Sequence, residues 1–113
     1  MALNDTILNI GNAAKQTAIT HVGLFTAATN GTGTTNVATS ARQAVTWVTA
    51  ANGDMVATAD LNFTGGAASG PVHSIGYWSA STGGTFYGDQ VLTGDSTFNA
   101  AGEYTVTGIT ITG

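Results

Sequence analysis

Two histidines and six acids are the residues of this chain best suited to chemistry. His21 and His73 each stand at the head of a run of branched and aromatic residues, HVGLF and HSIGYW, and an imidazole pair can hold a metal ion or trade a proton. Alternation along a strand, however, sends the two rings to opposite faces, and no acid cluster lies near either. Each reads as a packed or surface residue. Asp89, Asp95 and Glu103 are the densest acids, and their spacing fits no EF-hand loop. A weak calcium ion held between subunits is the most they suggest. Glycoside hydrolysis requires two carboxylates placed across a cleft, and 113 residues leave little room for one.

The glycine-rich stretches carry no nucleotide or nucleophile signature. GTGTTN at 31–36 lacks the third glycine of a dinucleotide fingerprint, contains no lysine and precedes no helix. In GGAASG at 65–70, Ser69 falls one residue late for a nucleophile elbow. T-x-T at 105–107 and 110–112 invites an ice-binding threonine ladder, but outward threonines on an ordinary strand account for the same letters. Without cysteine there is neither a disulfide framework nor a thiolate metal site. The expectation is a protein that is not an enzyme, with no catalytic residue, no cofactor and no metal.

Charge narrows the partners. Only Lys15 and Arg42 are basic against six acids, a net charge of −4, so nothing neutralises a run of phosphates. Neither nucleic acid nor an anionic membrane surface is expected as a partner. No apolar run approaches the roughly 20 residues of a membrane-spanning helix, and residues 1–18 lack the basic start and unbroken apolar stretch of a secretory signal. Charged residues make up 7% of the chain, where about 25% is usual for a soluble domain. Two readings stand: a Thr-rich β protein of ordinary kind, or a surface covered by copies of itself or by a larger assembly.

The elements that position these residues follow from periodicity. Residues 3–18 read as a short helix capped at Asn4, with Leu3 and Leu8 placed for a hydrophobic staple and Asp5 in the first turn. Leu3, Ile7, Ile10 and Ala14 recur at helical spacing as a narrow apolar stripe, and so short a helix must lie on something. From residue 19 the period is two, giving strands at 19–26, 41–49, 55–63, 72–79, 85–92 and 103–112, with turns such as Asn52-Gly53 between them. Met55, Ala57, Ala59, Leu61 and Phe63 share one face. The last run places Tyr104 and Val106 inward, then Ile109 and Ile111, a parity change that predicts a β-bulge at Gly108. The fold class is all-β: a single β-sandwich or β-barrel-like domain over 19–113, with a short N-terminal helix or docking segment at 1–18.

The chain also repeats itself. VGLFTAATNGT at 22–32 and IGYWSASTGGT at 75–85 match almost position for position, each a short strand entering a Gly-rich turn. Two such units predict a pair facing one another across a sandwich, with Gly23 and Gly76 letting a strand or an aromatic ring approach closely.

In order, HVGLFTAATNGTG, ARQAVTW, VHSIGYWSASTGGTFYGDQVLTG and NAAGEYTVTGITITG form a succession that resembles small virion proteins of tailed phages, labelled tail fibre, minor tail or head decoration proteins. Roughly residues 19–113 carry the resemblance, most specifically A-R-Q-A-V-T-W at 41–47 and A-x-T-G-G at 80–84. The chain departs from the pattern at 38–40, where ATS stands in place of a Gly-rich, Tyr-containing phrase. The resemblance implies a self-associating structural part of the virion with no catalytic role, made in the host cytoplasm. The leading expectation is a capsid decoration, or cement, protein: a homo-oligomer, with a trimer expected, seated on the major capsid protein at the head surface. A tail fibre or minor tail component is the alternative, and a surface glycan-binding module a third.

On that reading Leu3, Ile7 and Ile10 of the helix dock onto the shell or a neighbour. Tyr77, Trp78, Phe86 and Tyr87 are the aromatic anchors of an interface, and Tyr77, Trp78 and Tyr87 are the rings that a sugar would stack on. Trp47 reads as core. Arg42 reads either as an interface residue paired with Asp60 or Glu103 or as an isolated surface charge.

Overall fold

The computed structural model of the chain describes residues 5–29, 31, 33–48, 54–92 and 97–112. Helix α1 runs Asp5–Ala18 and is followed by β1 His21–Phe25, β2 Gln43–Ala44, β3 Asp54–Val56, β4 Leu61–Phe63, β5 Ser74–Trp78, β6 Phe86–Val91, β7 Tyr104–Val106 and β8 Thr110–Thr112. Antiparallel pairing joins them into a four-stranded sheet, β2-β1-β5-β6, and two ribbons, β3-β8 and β4-β7. This is the all-β class with one N-terminal helix that the sequence predicts. The Asn52-Gly53 turn and the Asn4 cap lie outside the described residues. Bonds from Val48 N to Val56 O and from Thr58 N to Thr46 O join the described segments on either side of residues 49–53.

The two copies of the repeated phrase pair side by side in the four-stranded sheet, not across a sandwich: Val22 faces Tyr77, Gly23 faces Gly76 and Leu24 faces Ile75. The reason is burial. β1 is covered at all but its first residue and β5 along its whole length, so each needs a neighbour on both sides, and the two central places of one sheet supply them. The expected close approach is present. A Cβ on Gly76 would stand 2.3 Å from Cε2 of Phe25 and 3.0 Å from Cε1 of Phe86.

Alternation gives this sheet two covered faces. Val22, Leu24, Ile75 and Tyr77 enter the main core with Val45, Met55, Phe63, Val106 and Ile109. Phe25 and Trp78 are buried on the opposite face and form a second layer with Phe86. Trp47 packs against the main core, as expected, and its Nε1 donates to Ile19 O at 3.0 Å.

Three long strands expected from alternation are broken. In 41–49, Gln43 and Ala44 pair with β1, after which the chain turns to a different partner and Trp47 bridges to Ala57. In 55–63 and 103–112 the break is shared. Leu61 faces Val106 and Val56 faces Thr110, so residues 57–60 lie opposite residues 107–109, with one residue more on the first side. The extra residue is therefore across from Gly108, not at it. Gly108, at φ +62, bends the shorter side, and Val106 and Ile109, three positions apart, both reach the core. The parity change is as read; the bulge is a break between two ribbons. Ala59, expected on the inward face, falls in this break and is exposed. The four-stranded sheet carries a bulge of its own, since Tyr77 pairs with Gly88 and Trp78 with Phe86, leaving Tyr87 without a cross-strand partner.

α1 lies against β3. Its rotation is set at its C-terminal end, where Ile19 is buried in the core and Gln16 Nε2 donates to Val48 O at 2.7 Å. Helical spacing back from Ile19 turns Gln16, Asn12 and Leu8 inward, and Asn12 is fully buried. The apolar stripe is left on the other side.

Candidate functional site

The residues marked out in the sequence separate into two groups, and Leu3 lies outside the described residues. The first group is inward. Trp78 and Phe86 have ring centroids 5.0 Å apart, and Phe25 meets Phe86 edge-on at 5.7 Å. The Arg42 guanidinium carbon stands 3.5 Å from the centroid of the Trp78 ring, a cation–π contact. Arg42 Nη1 donates to Ala80 O at 2.9 Å and to Gly83 O at 2.8 Å. Within the chain the described partners of Arg42 are thus two carbonyls and an indole, so it is not the isolated surface charge of the second reading. A guanidinium suits these partners, because its planar face stacks while its edge donates. The same loop is closed by Ser79 N donating to Thr85 O and Thr85 N donating to Ser79 Oγ. Tyr77 and Trp78 are buried within one chain at 7% and 6% exposure, so their rings serve chiefly its own packing.

The second group faces out. Ile7 and Ile10 on α1 are 47% and 64% exposed, and Tyr87 on the β6 bulge is 50% exposed. Between them opens a cleft of about 560 Å³ lined by Ala14, Lys15 and Ala18 of α1, Tyr87 and Asp89 of β6, and Ile111 of β8. Ala14 belongs to both the stripe and the cleft, so the apolar surface is continuous from Ile7 to Tyr87. Tyr77 closes the floor, where its hydroxyl donates to Gln90 Oε1 at 2.9 Å and burial pushes its phenol up to about 12. Sequence reading did not assign Ala18, Asp89 or Ile111 to this surface. The pairing of β3 with β8 and the rotation of α1 bring Ile111 and Ala18 to Tyr87, whereas Asp89 stands beside it on β6. One cation and one carboxylate at the rim of an apolar surface equip it for packing against another molecule.

The histidines do not meet. His21 and His73 stand at opposite ends of the β1–β5 pair, and His21 Nδ1 is 2.9 Å from Thr20 Oγ1. Among the described residues no group of His, Asp or Glu is placed to hold a metal ion, and no described helix is long and apolar enough to cross a membrane.

A small β-rich scaffold whose marked residues serve packing, and whose one exposed helix face is apolar, has the make-up of a structural component of an assembly. The chain belongs to the family described as podophage GP4 fiber I protein gp80, whose sequence profile matches residues 2–112. It is accordingly a phage virion structural protein, and the match takes in α1 as well as the β region that carries the resemblance. No curated protein and no solved structure matches it.

Proposed function

We propose that the chain is a self-associating fibre component of a phage particle, joined to neighbouring copies through the outward stripe of α1. The observation that carries this reading is the exposure of Ile7 and Ile10 on a helix whose opposite face is already occupied by the β3 ribbon. Burying two such half-exposed side chains in each copy supplies about 1–2 kcal/mol apiece, and symmetry multiplies it. Tyr87, set on the bulge, is the aromatic anchor at the edge of that face. The fibre in the family's description favours this site on the particle. Assembly is a trimer on this reading, and the protein has no catalytic role.

A second reading seats the same face on the major capsid protein as head decoration. It is favoured by the shape of the chain, 44 × 24 × 24 Å with no repeat of shaft length. Light scattering on purified protein tests self-association. A trimer that Ile10→Asp converts to a folded monomer supports the proposal; a wild-type monomer at every concentration overturns it. Antibody labelling of whole particles, read by electron microscopy, then decides between fibre and head.

A further inference from the structure

A second groove, of about 460 Å³, lies along the β4–β7 ribbon, within the range of about 300–1,000 Å³ usual for ligand pockets. Asn62 and Thr105 face one another across the ribbon, and Thr105 Oγ1 donates to Asn62 Oδ1 at 2.8 Å. That bond takes one lone pair of the amide oxygen and fixes the amide plane, leaving Nδ2 as the donor to offer. Asn99 Oδ1 accepts from the N–H of Ala101 and of Glu103, both at 2.9 Å, and its Nδ2 donates to Glu103 Oε1 at 3.3 Å. One oxygen of the Glu103 carboxylate is tethered and the other is left to accept. The half-buried ring of Tyr104, set edge-on to Phe98 with centroids 6.3 Å apart, lines the same groove.

The wall is already ordered. Gly66 N donates to Gly102 O at 3.0 Å, Ser69 N to Asn99 O at 3.0 Å and Phe98 N to Gly70 O at 2.8 Å. Gly102, at φ +76, approaches so closely that a Cβ there would stand 2.2 Å from Gly66 O. The 97–103 loop is thereby clamped to the 66–70 loop, and little ordering cost is left for a ligand to meet.

Chemistry selects the class of ligand. The two cations of the chain lie elsewhere, Lys15 at the α1 cleft and Arg42 over Trp78. Nothing in the groove would hold a phosphate, sulfate or carboxylate, and Glu103 repels them. A wholly apolar ligand would strip water from an amide and a carboxylate without replacing it. An uncharged molecule with many hydroxyls on one side and a C–H face on the other satisfies donor, acceptor and ring together. We infer that the groove formed by Asn62, Glu103, Tyr104 and Thr105 is a binding site for a neutral saccharide unit. It is separate from the rings that the sequence marks for sugar stacking, two of which are buried in the fold.

The test is an NMR titration of the full chain with glucose, galactose, mannose and N-acetylglucosamine, and with N-acetylneuraminic acid as the charged counterpart. The proposal expects saturable shifts of the Asn62 side-chain amide and the Tyr104 ring with one or more of the neutral sugars, and none with the acid. Asn62→Ala and Glu103→Ala are each expected to weaken binding about tenfold, the cost of one lost hydrogen bond in a polar site. If Asn62→Ala does not fold, Thr105→Val, which removes only the hydroxyl that orients the amide, replaces it with the same direction of effect. No saturable shift with any neutral sugar, shifts confined to the α1 cleft, or equal binding of the acidic sugar each overturns the inference.

Discussion

Gly23 and Gly76 lie directly opposite one another in the β1–β5 pair, so a local two-fold relates the two copies of the repeated phrase. Val22 facing Tyr77 is carried onto Ile75 facing Leu24. The repeat therefore marks the centre of the sheet, and the glycine pair at that centre is the floor beneath the aromatic layer.

The two glycines are not equally tolerant. A Cβ at Gly76 meets the Phe25 ring at 2.3 Å, with Phe86 at 3.0 Å behind it, whereas one at Gly23 meets the Arg42 side chain at 3.2 Å and Trp78 Nε1 at 3.4 Å. Rings held in a packed layer cannot retreat, but an arginine stem can shift by tenths of an ångström. Gly76→Ala is expected to lower stability by about 2–3 kcal/mol. Gly23→Ala is expected to cost under about 1 kcal/mol, offset by the smaller backbone entropy of the unfolded alanine chain. Urea unfolding of both variants checks this, and equal losses would contradict the account.

Arg42 ties the loop at 79–85 to the sheet through Ala80 O and Gly83 O while stacking on Trp78. Arg42→Lys keeps the charge but loses the planar face and the paired donors. The expected loss is about 1–2 kcal/mol. Because the loop is what the guanidinium holds, amide exchange at Thr85, whose N–H donates to Ser79 Oγ, should accelerate more than exchange in β1. A uniform change across the protein would mean that Arg42 acts on global stability alone.

Much of the framework is legible in the sequence because burial imposes a period. Met55, Leu61, Phe63, Val106 and Ile109 all reach the core as alternation and the parity change require. Partners are less legible. A strand such as 41–49 reads as one run, yet its two ends belong to different neighbours, and alternation carries no signal for that exchange. The stripe of Ile7 and Ile10 is visible from spacing, but which side of α1 meets the protein is decided by Ile19 and Gln16 beyond it. The contacts of Arg42 are carbonyls, which leave no trace in side-chain identity. Likewise Asn62 and Glu103 stand far apart in the chain and share a groove only through the β4–β7 pairing.

Asn12 is fully buried on the inner side of α1, and neither its Oδ1 nor its Nδ2 reaches a hydrogen-bond partner among the described residues. A desolvated amide without partners costs about 1–3 kcal/mol, and asparagine is also a poorer helix former than alanine. Asn12→Ala removes both penalties and leaves a small void. The net expectation is a gain of about 1 kcal/mol, read as a higher urea midpoint with an unchanged far-ultraviolet spectrum. A loss of stability would show that the amide is satisfied, and a buried water would then be sought beside it.

Tyr77 makes stability depend on alkaline pH. Burial raises its phenol from 10.0 to about 12, so the fold retains the neutral form that donates to Gln90 Oε1. The sign follows from linkage. Below the unfolded value of 10.0 both states carry the proton and the contribution is complete; as pH rises from there through about 12, the unfolded chain releases its proton first and the contribution is lost. Tyr77→Phe lacks this titration. It is expected to be less stable at neutral pH by about 1 kcal/mol for the lost hydrogen bond, and to lose less stability than wild type above pH 10. Tyr87 and Tyr104 are common to both chains, so the difference between the two pH profiles isolates Tyr77. Parallel profiles would mean that its hydroxyl is open to water, and the closed floor assigned to the α1 cleft would be wrong.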